Sequence, residues 1–464
     1  MVLREEQDTP MALIAQAERN YRRDLGNGLI LRWSTREDAE EIIYLPGMVF
    51  RNDPTEAANI SLGNLMRVLM KGQHPMMSPE DVAVVEDTRK KEHRLVAMTC
   101  LWRQQWRYED ITFTIGRPEI VATDPEYRNR GLVRAVFDLV HARSAAEGHM
   151  VQAITGIPYF YRQFGYEYAL DLDAQRDTYT ALIPPAPEGV PEPYRLRDAT
   201  VSDIPSIAQL YNQQCASSIV STAVDQGWWH YQIEHWNDFQ ADGYWHVLVI
   251  SNAEGAFCGY VTLPSIRRRD SIPVFDFAVR PGLNMAEVIF PIIRAILQQS
   301  DAMLLPSNAA PISKISFMMH RNHPVYEILK TEMVIRRDPP YAWYVRVPDL
   351  PTFLRAIASI LERRLAQSVL AGYSGELALN FYRSGLRMVF AEGRLHTVEN
   401  WRSPLWHSNE NAGFPPLVFL QLLFGHRSLD ELRHAYPDVW TNDDMTLVLK
   451  KLFPARASWV IPLG

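Results

Sequence analysis

Apolar residues alternate with polar ones at Ile111, Phe113 and Ile115 and run together at Ile120, Val121 and Ala122. After a break at Asp124-Pro125 they return at Leu132, Val133, Val136, Phe137 and Val140. A period of two marks a strand and a period near 3.6 marks a helix, so this stretch predicts consecutive strands, a turn, and a helix from about Gly131. A further strand is expected at Val151 to Ile154, and strand, helix, strand in that order is typical of a mixed α/β layer. Farther on, Phe353, Leu354, Ile357, Ile360 and Leu361 form one side of an amphipathic helix, and strand-like stretches follow around Leu377 to Tyr382 and Leu386 to Phe390. Ser428 and Glu431 read as a capping box that starts another helix. The greasiest segment, LVFLQLLF at 417–424, is far short of the ~20 residues that a membrane helix needs and reads as a buried helix.

Two proline-rich interruptions, PPAPEGVPEP from Pro184 and DPP at Asp338, divide the chain, because proline removes donors and restricts the residue before it. The first two of the resulting segments open alike. LRWSTREDAEEII starts at Leu31 and LRDATVSDIPSIA at Leu196, each a short strand entering a helix with an acid at its start, where the macrodipole favours it. The repeat reads as a duplicated unit. The expected organisation is an N-terminal extension over 1–26, mixed-sheet domains over 27–180 and 194–338, and an α+β domain over 342–464.

With 464 residues, the usual domain size of about 150 also suggests roughly three domains. Hydrophobic residues are 47% and charged residues 22%, an ordinary globular balance. The formal charge of −7 with no long basic run gives little support to nucleic acid or an anionic membrane as partner, and suits a small or cationic one. Cys100, Cys215 and Cys258 are too few and too scattered for a disulfide framework, which points to a reducing cytoplasm. The acids among the first 28 residues argue against a signal peptide.

The chemistry gathers at EIVATDPEYRNRGLVRAVF, residues 119–137. The first amides of a helix have no intrahelical acceptor and lie at the positive end of its dipole, so they bind anions such as a pyrophosphate. Gly131 lets a ligand approach the backbone, and Arg128, Arg130 and Arg134 add charge. Neither a P-loop nor a dinucleotide fingerprint is present in the turn. Instead, Arg128-Asn129-Arg130-Gly131-Leu132-Val133, after a strand and an Asp-Pro-Glu-Tyr lead-in, resembles motif A of the GNAT acetyltransferase superfamily, [RQ]-x-x-G-x-[GA], with Val133 departing at the last position. YFYRQFGY at 159–166 follows at the distance where that superfamily places its last helix.

The resemblance implies acetyl-CoA as co-substrate and no metal. Val121, Ala122 and Thr123 would offer strand backbone to the pantetheine arm, and Arg128, Asn129, Arg130, Gly131, Leu132, Val133 and Arg134 would hold the pyrophosphate. Tyr161 matches the tyrosine that protonates the departing thiolate, a transfer from a phenol of pKa ~10 to a thiolate of ~8–9 that depends on position. The bland reading of Tyr161 is a core aromatic beside Phe160 and Phe164.

Three modules in this order resemble the enhanced-intracellular-survival (Eis) family over most of the chain, the last being like a sterol carrier protein. By that resemblance the second module is structural, since Arg280 and Gly282 are too close for the motif, and the chain's own C-terminal carboxylate, here that of Gly464, is the general base. Glu119, or a water held by a carboxylate, is the alternative base. The implied reaction is direct attack by a primary amine of a small molecule, aminoglycoside- or polyamine-like, or of a protein lysine; the family also implies a homo-oligomer such as a hexamer. The rival from another class is a non-enzymatic acyl-CoA or lipid-binding protein.

Overall fold

The computed structural model describes residues 15–461 apart from positions 52, 54, 173, 237–244, 301–302, 304–308, 331, 336–341 and 403–410. Its first sheet is built around a long hairpin in which Leu95–Tyr108 pairs antiparallel with Ile111–Thr123. Val82–Asp87, Leu29–Trp33 and Arg22–Gly26 extend the sheet on one flank, and Val151–Ile154 extends it on the other, parallel to Ile111–Thr123. The consecutive strands expected across residues 111–122 are thus one strand of 13 residues. It bends instead of breaking: the register slips opposite Met98 and Cys100, and Ile120 takes φ 54°. This is a β-bulge, and a β-branched residue in the left-handed region carries local strain.

The helix expected after Gly131 spans Leu132–Ala146. Leu132, Val136, Phe137 and Val140 are buried and pack with Leu31, Trp33, Val85 and Leu101 of the sheet, so the apolar stripe faces the core.

Duplication is visible in the caps. Arg32 donates to both carboxylate oxygens of Asp38 at 2.7 and 2.8 Å, and Arg197 does the same to Asp203 at 2.8 and 2.7 Å. Thr35 and Thr200 complete equivalent capping boxes before the helices Ala39–Val49 and Ile204–Cys215. The second unit also repeats the parallel pair, Ser271–Val274 beside Lys314–Phe317.

The two units exchange a strand. Arg176–Tyr179 leaves the first unit and pairs between Lys314–Phe317 and Met333–Ile335 of the second. In return Ala342–Arg346, just past the second proline-rich interruption, enters the first sheet between Val151–Ile154 and Glu167–Asp171. Each sheet is completed by a strand that follows the other unit in sequence.

The second unit buries a carboxylic acid. Asp276 is fully enclosed, accepting from Tyr260 Oη at 2.6 Å, Gln214 Nε2 at 3.1 Å and the Phe277 amide at 2.9 Å. Burial outweighs these donors and pushes its pKa up to about 6 from 3.8. An acid with a raised folded pKa favours the folded state at low pH, so its contribution is lost as pH rises from about 4 through 6. The expected stability loss is about 1–3 kcal/mol between pH 4 and 8, since a tenfold change in proton affinity is worth about 1.4 kcal/mol. Urea midpoints measured across that range should show this slope in the wild type and a flatter one in Asp276→Asn; equal slopes would exclude the assignment.

The third region carries the sheet Arg394–Asn400, Gly385–Ala391, Gly375–Asn380, Ala412–Gly413 and Trp440–Thr441, covered by helices that include Leu429–Ala435, which starts with the expected capping box at Ser428 and Glu431. Phe419–Leu423 is helical and buried, as the hydropathy predicts. The single amphipathic helix expected after Leu350 is two, Leu350–Ala356 and Ala358–Ala366, turning at Ile357. All five stripe residues are nonetheless fully buried, so the kink preserves the buried face while ending the continuous hydrogen-bond ladder. Arg363, Arg364 and Arg456 converge on Glu109 at 3.1, 2.6 and 2.7 Å, fastening this region to the tip of the first hairpin.

The architecture is therefore two tandem mixed-sheet units of like design followed by an α+β region, and no described helix is long and apolar enough to cross a membrane.

Candidate active site

Parallel pairing between Ile111–Thr123 and Val151–Ile154 is confined to Ile115 with Val151 and Gly116 with Gln152. Beyond these pairs the strands part: Ala153 and Ile154 pair with the exchanged strand alone, and the other strand bulges at Ile120. A wedge-shaped opening results. One side is Glu119 to Thr123 and the other is Ile154 with the loop that follows it. Val121 and Thr123 are half-buried at this edge, whereas Ala122 points into the core.

The turn closing one end of the wedge is shaped locally. Asp124 Oδ1 accepts from the Glu126 amide at 3.0 Å, and Asn129 and Gly131 take φ 62° and 75°. Gly131 is the helix N-cap and has no side chain with which to cap it. The amides of residues 129–134 accordingly find no backbone acceptor among the described residues. At the equivalent turn of the second unit Asn284 is the N-cap and takes the Ala286 amide at 3.1 Å, a side chain where an anion would otherwise bind.

Arg128, Arg130 and Arg134 are exposed around the turn. Arg130 folds back over the Tyr127 ring at 4.7 Å and donates to Glu126 O at 2.9 Å, and Arg134 lies over the Phe164 ring at 5.0 Å. Leu132 is buried and Val133 half-buried, so these two contribute their amides to the turn while their side chains join the core. A cavity of about 400 Å³ opens beside the turn, lined by Arg130, Gly131, Leu132 and Arg134 together with Arg23 and Asn27 of the N-terminal hairpin. The hairpin's share of this surface is not legible in the sequence; RRDLGNG shows a turn, but nothing in it places the turn beside residue 131.

Tyr161 lies in the short helix Phe160–Phe164 and is only 4% exposed. Its ring stacks on Phe137 of the helix Leu132–Ala146 at 5.8 Å and meets Phe160 and Tyr344 edge-on at 5.1 and 5.3 Å. The core reading is therefore true of the ring. The hydroxyl end abuts the loop backbone at Gly156, where an added Cβ would come within 3.0 Å of the oxygen. Gly156 has φ 144°, a conformation open mainly to glycine.

On the opposite face of the sheet Glu119 is buried and paired with Arg117, whose Nη2 and Nε donate to Oε1 at 2.6 and 3.2 Å. Arg117 is itself wholly enclosed, with the rings of Trp102 and Trp343 at 5.4 and 4.7 Å from its guanidinium. Burial pushes the Glu119 carboxyl up, and Arg117 offsets part of that rise.

Gly464 lies outside the described residues. The tail leading to it is buried along the first sheet: the Trp459 amide donates to Val220 O at 2.8 Å and the Ile461 amide to Thr222 Oγ1 at 2.9 Å. Val220–Thr222 pairs antiparallel with Trp106–Tyr108, and Trp459 runs parallel to it, so the chain heads from Tyr108 toward Trp102.

The comparisons agree with this geometry. The acetyltransferase (GNAT) domain family matches residues 31–169. No curated protein matches the sequence. Among solved structures, a GCN5-related N-acetyltransferase from Anabaena variabilis superposes with a TM-score of 0.63 at 14% identity, over 94% of this chain and 100% of the other. A conserved Enterococcus faecalis protein described as a probable N-acyltransferase gives 0.64 at 14% identity, over 94% and 100%. Eis1 from Mycobacterium abscessus gives 0.57 at 12% identity, over 93% and 99%. At such identities the superpositions speak for the fold, and the family match speaks for the first unit. Residues 31–169 therefore form an acetyltransferase (GNAT) domain.

Proposed function

We propose that the chain transfers the acetyl group of acetyl-CoA to a primary amine of a small molecule, aminoglycoside- or polyamine-like. One arrangement supports this above all: the wedge between the parted strands, the open amides of 129–134 and Tyr161 are tied together by a single helix, through Phe137. The turn and its arginines would take the pyrophosphate, and the strand edge at Val121 and Thr123 the pantetheine arm, in the manner of an added strand. Acetyl-CoA supplies the thioester. The amine attacks its carbonyl, the C–S bond of the tetrahedral intermediate breaks, and Tyr161 gives its proton to the leaving sulfur.

The attacking amine must lose a proton, and two groups of this chain are suited to take it. Glu119 is one, since a carboxyl raised by burial is a better base near neutrality. The carboxylate of Gly464 is the other, toward which the direction of the buried tail gives support. A second, structural GNAT-like unit is supported by the Asn284 cap. We extend the same reading to a sterol-carrier-like third region, a cytoplasmic setting and a homo-oligomer, on the resemblance of the sequence to the Eis family.

Calorimetric titration with acetyl-CoA tests the reading, followed by CoA release in the presence of an amine panel. Saturable binding in the micromolar to millimolar range usual for enzyme substrates is expected, with release dependent on an amine. Absence of acetyl-CoA binding by the folded protein would end the proposal.

A further inference from the structure

Four rings surround the Tyr161 side chain. Phe137 comes from the phosphate-turn helix, Phe160 and Tyr166 come from the same short segment as Tyr161, and Tyr344 comes from the strand received in the exchange. Tyr344 touches both the phenol and the loop beside it. Its ring meets Tyr161 edge-on at 5.3 Å. Its hydroxyl donates to Ile157 O at 3.2 Å, in the loop whose Gly156 backbone lies against the Tyr161 hydroxyl. Its other face stacks on Tyr168 at 4.0 Å and 25°, which leaves the ring little freedom to turn.

We propose that Tyr344 is a positioning residue for the acid step: it sets the Tyr161 phenol and the Gly156–Ile157 backbone at a fixed distance from each other. The inference rests on the acetyltransferase reading of the site and goes beyond it, because it gives a catalytic duty to the exchanged strand. The ring of Tyr344 plugs the core, and its hydroxyl reaches out to the loop. The bond to Ile157 O does have a use in catalysis. The loop Thr155–Tyr159 is largely exposed, Ile157 and Tyr159 by 62% and 72%, and Tyr159 takes φ 66°; besides Tyr344 it is held by the Phe160 amide, which donates to Ile157 O at 3.3 Å, and by Arg162 over the Tyr159 ring at 5.1 Å. Released, the loop can drift against the phenol, and a displacement of 1 Å at a reacting group costs up to about 100-fold in rate. The neighbouring residue of the same strand, Trp343, covers Arg117 and through it Glu119. Two consecutive side chains of one strand thus support the groups proposed for the two proton transfers.

The test is a double-mutant cycle of Tyr344→Phe and Tyr161→Phe, with kcat, KM for acetyl-CoA and melting temperature for all four proteins. Tyr344→Phe keeps the ring and removes the hydroxyl. It should lower kcat on the order of 10-fold, with KM within about twofold and the melting temperature nearly unchanged. In the Tyr161→Phe background the same change should cost less than about twofold, since a residue that acts through another loses its effect when that other is gone. Equal fold-losses in the two backgrounds would show that Tyr344 acts independently and overturn the proposal; so would an unchanged kcat in Tyr344→Phe. If Tyr344→Phe melts early, the same cycle is run at a temperature at which all four proteins are folded, under the same criteria. Calorimetric binding of acetyl-CoA by the wild type keeps the two levels apart. Binding with additive losses removes only Tyr344, whereas a wild type that binds none removes the parent reading.

Discussion

Tyr161→Phe is expected to lower kcat by about 100-fold or more and to leave KM for acetyl-CoA within a few-fold. Without the phenol the sulfur departs as an unprotonated thiolate, and loss of a positioned general acid typically costs 10²–10⁴ in rate. Binding should survive, because the turn at residues 129–134 and its arginines do not use the hydroxyl. Stability should survive as well: the stacking on Phe137 and the edge contacts with Phe160 and Tyr344 involve the ring, which phenylalanine retains. Steady-state kinetics with a saturating amine, beside a melting curve, separate these effects. A variant with kcat within twofold of wild type would take the acid role from Tyr161, and a variant with a collapsed melting curve would show the hydroxyl to be structural.

Arg117→Met should produce the largest loss of stability, about 3–5 kcal/mol, the usual consequence of removing one partner of a buried ion pair. Methionine fills much of the space between Trp102 and Trp343, so the packing loss is modest. The damage lies in Glu119, which keeps its burial and loses two charged hydrogen bonds. Its carboxyl, already raised by burial, should rise further. An acid with a raised folded pKa loses stability as pH rises, so the deficit of the variant should be larger at pH 8 than at pH 5. Denaturant midpoints at the two pH values check both size and sign. Arg117→Met with Glu119→Gln should recover part of the loss, because the uncompensated charge is then gone. A single variant as stable as the wild type would mean that the pair contributes nothing.

What the sequence revealed about the site was local. The open turn at Arg128 to Gly131 could be read because its shape is encoded within a few residues, in the glycine that permits φ 75° and in the lack of a capping side chain. The repeat at Leu31 and Leu196 could be read for the same reason, as each copy builds its own Arg–Asp cap. The bulge at Ile120 was not legible because nothing in a β-branched residue announces a positive φ; it lies where the register against Leu95–Tyr108 slips. Arg117 looked like one more charged residue on a strand, and its enclosure by Trp102 and Trp343 depends on a residue over two hundred positions away. Arg23 and Tyr344 were beyond reach on similar grounds. Their importance comes from strand pairing between distant segments, and alternation tells that a strand forms without telling where it docks.

The traded strands bear on how the protein comes into being at the ribosome. When residue 171 has emerged, the gap between Val151–Ile154 and Glu167–Asp171 cannot yet be filled, because its filler, Ala342–Arg346, is still to be translated. The nascent chain must carry two bare strand margins, the kind of surface on which chains stick to one another, until the whole second unit has followed. Halving the protein at either proline-rich interruption would make that transient exposure permanent. A piece must run from the first unit at least through Ala342–Arg346 before the first sheet can close.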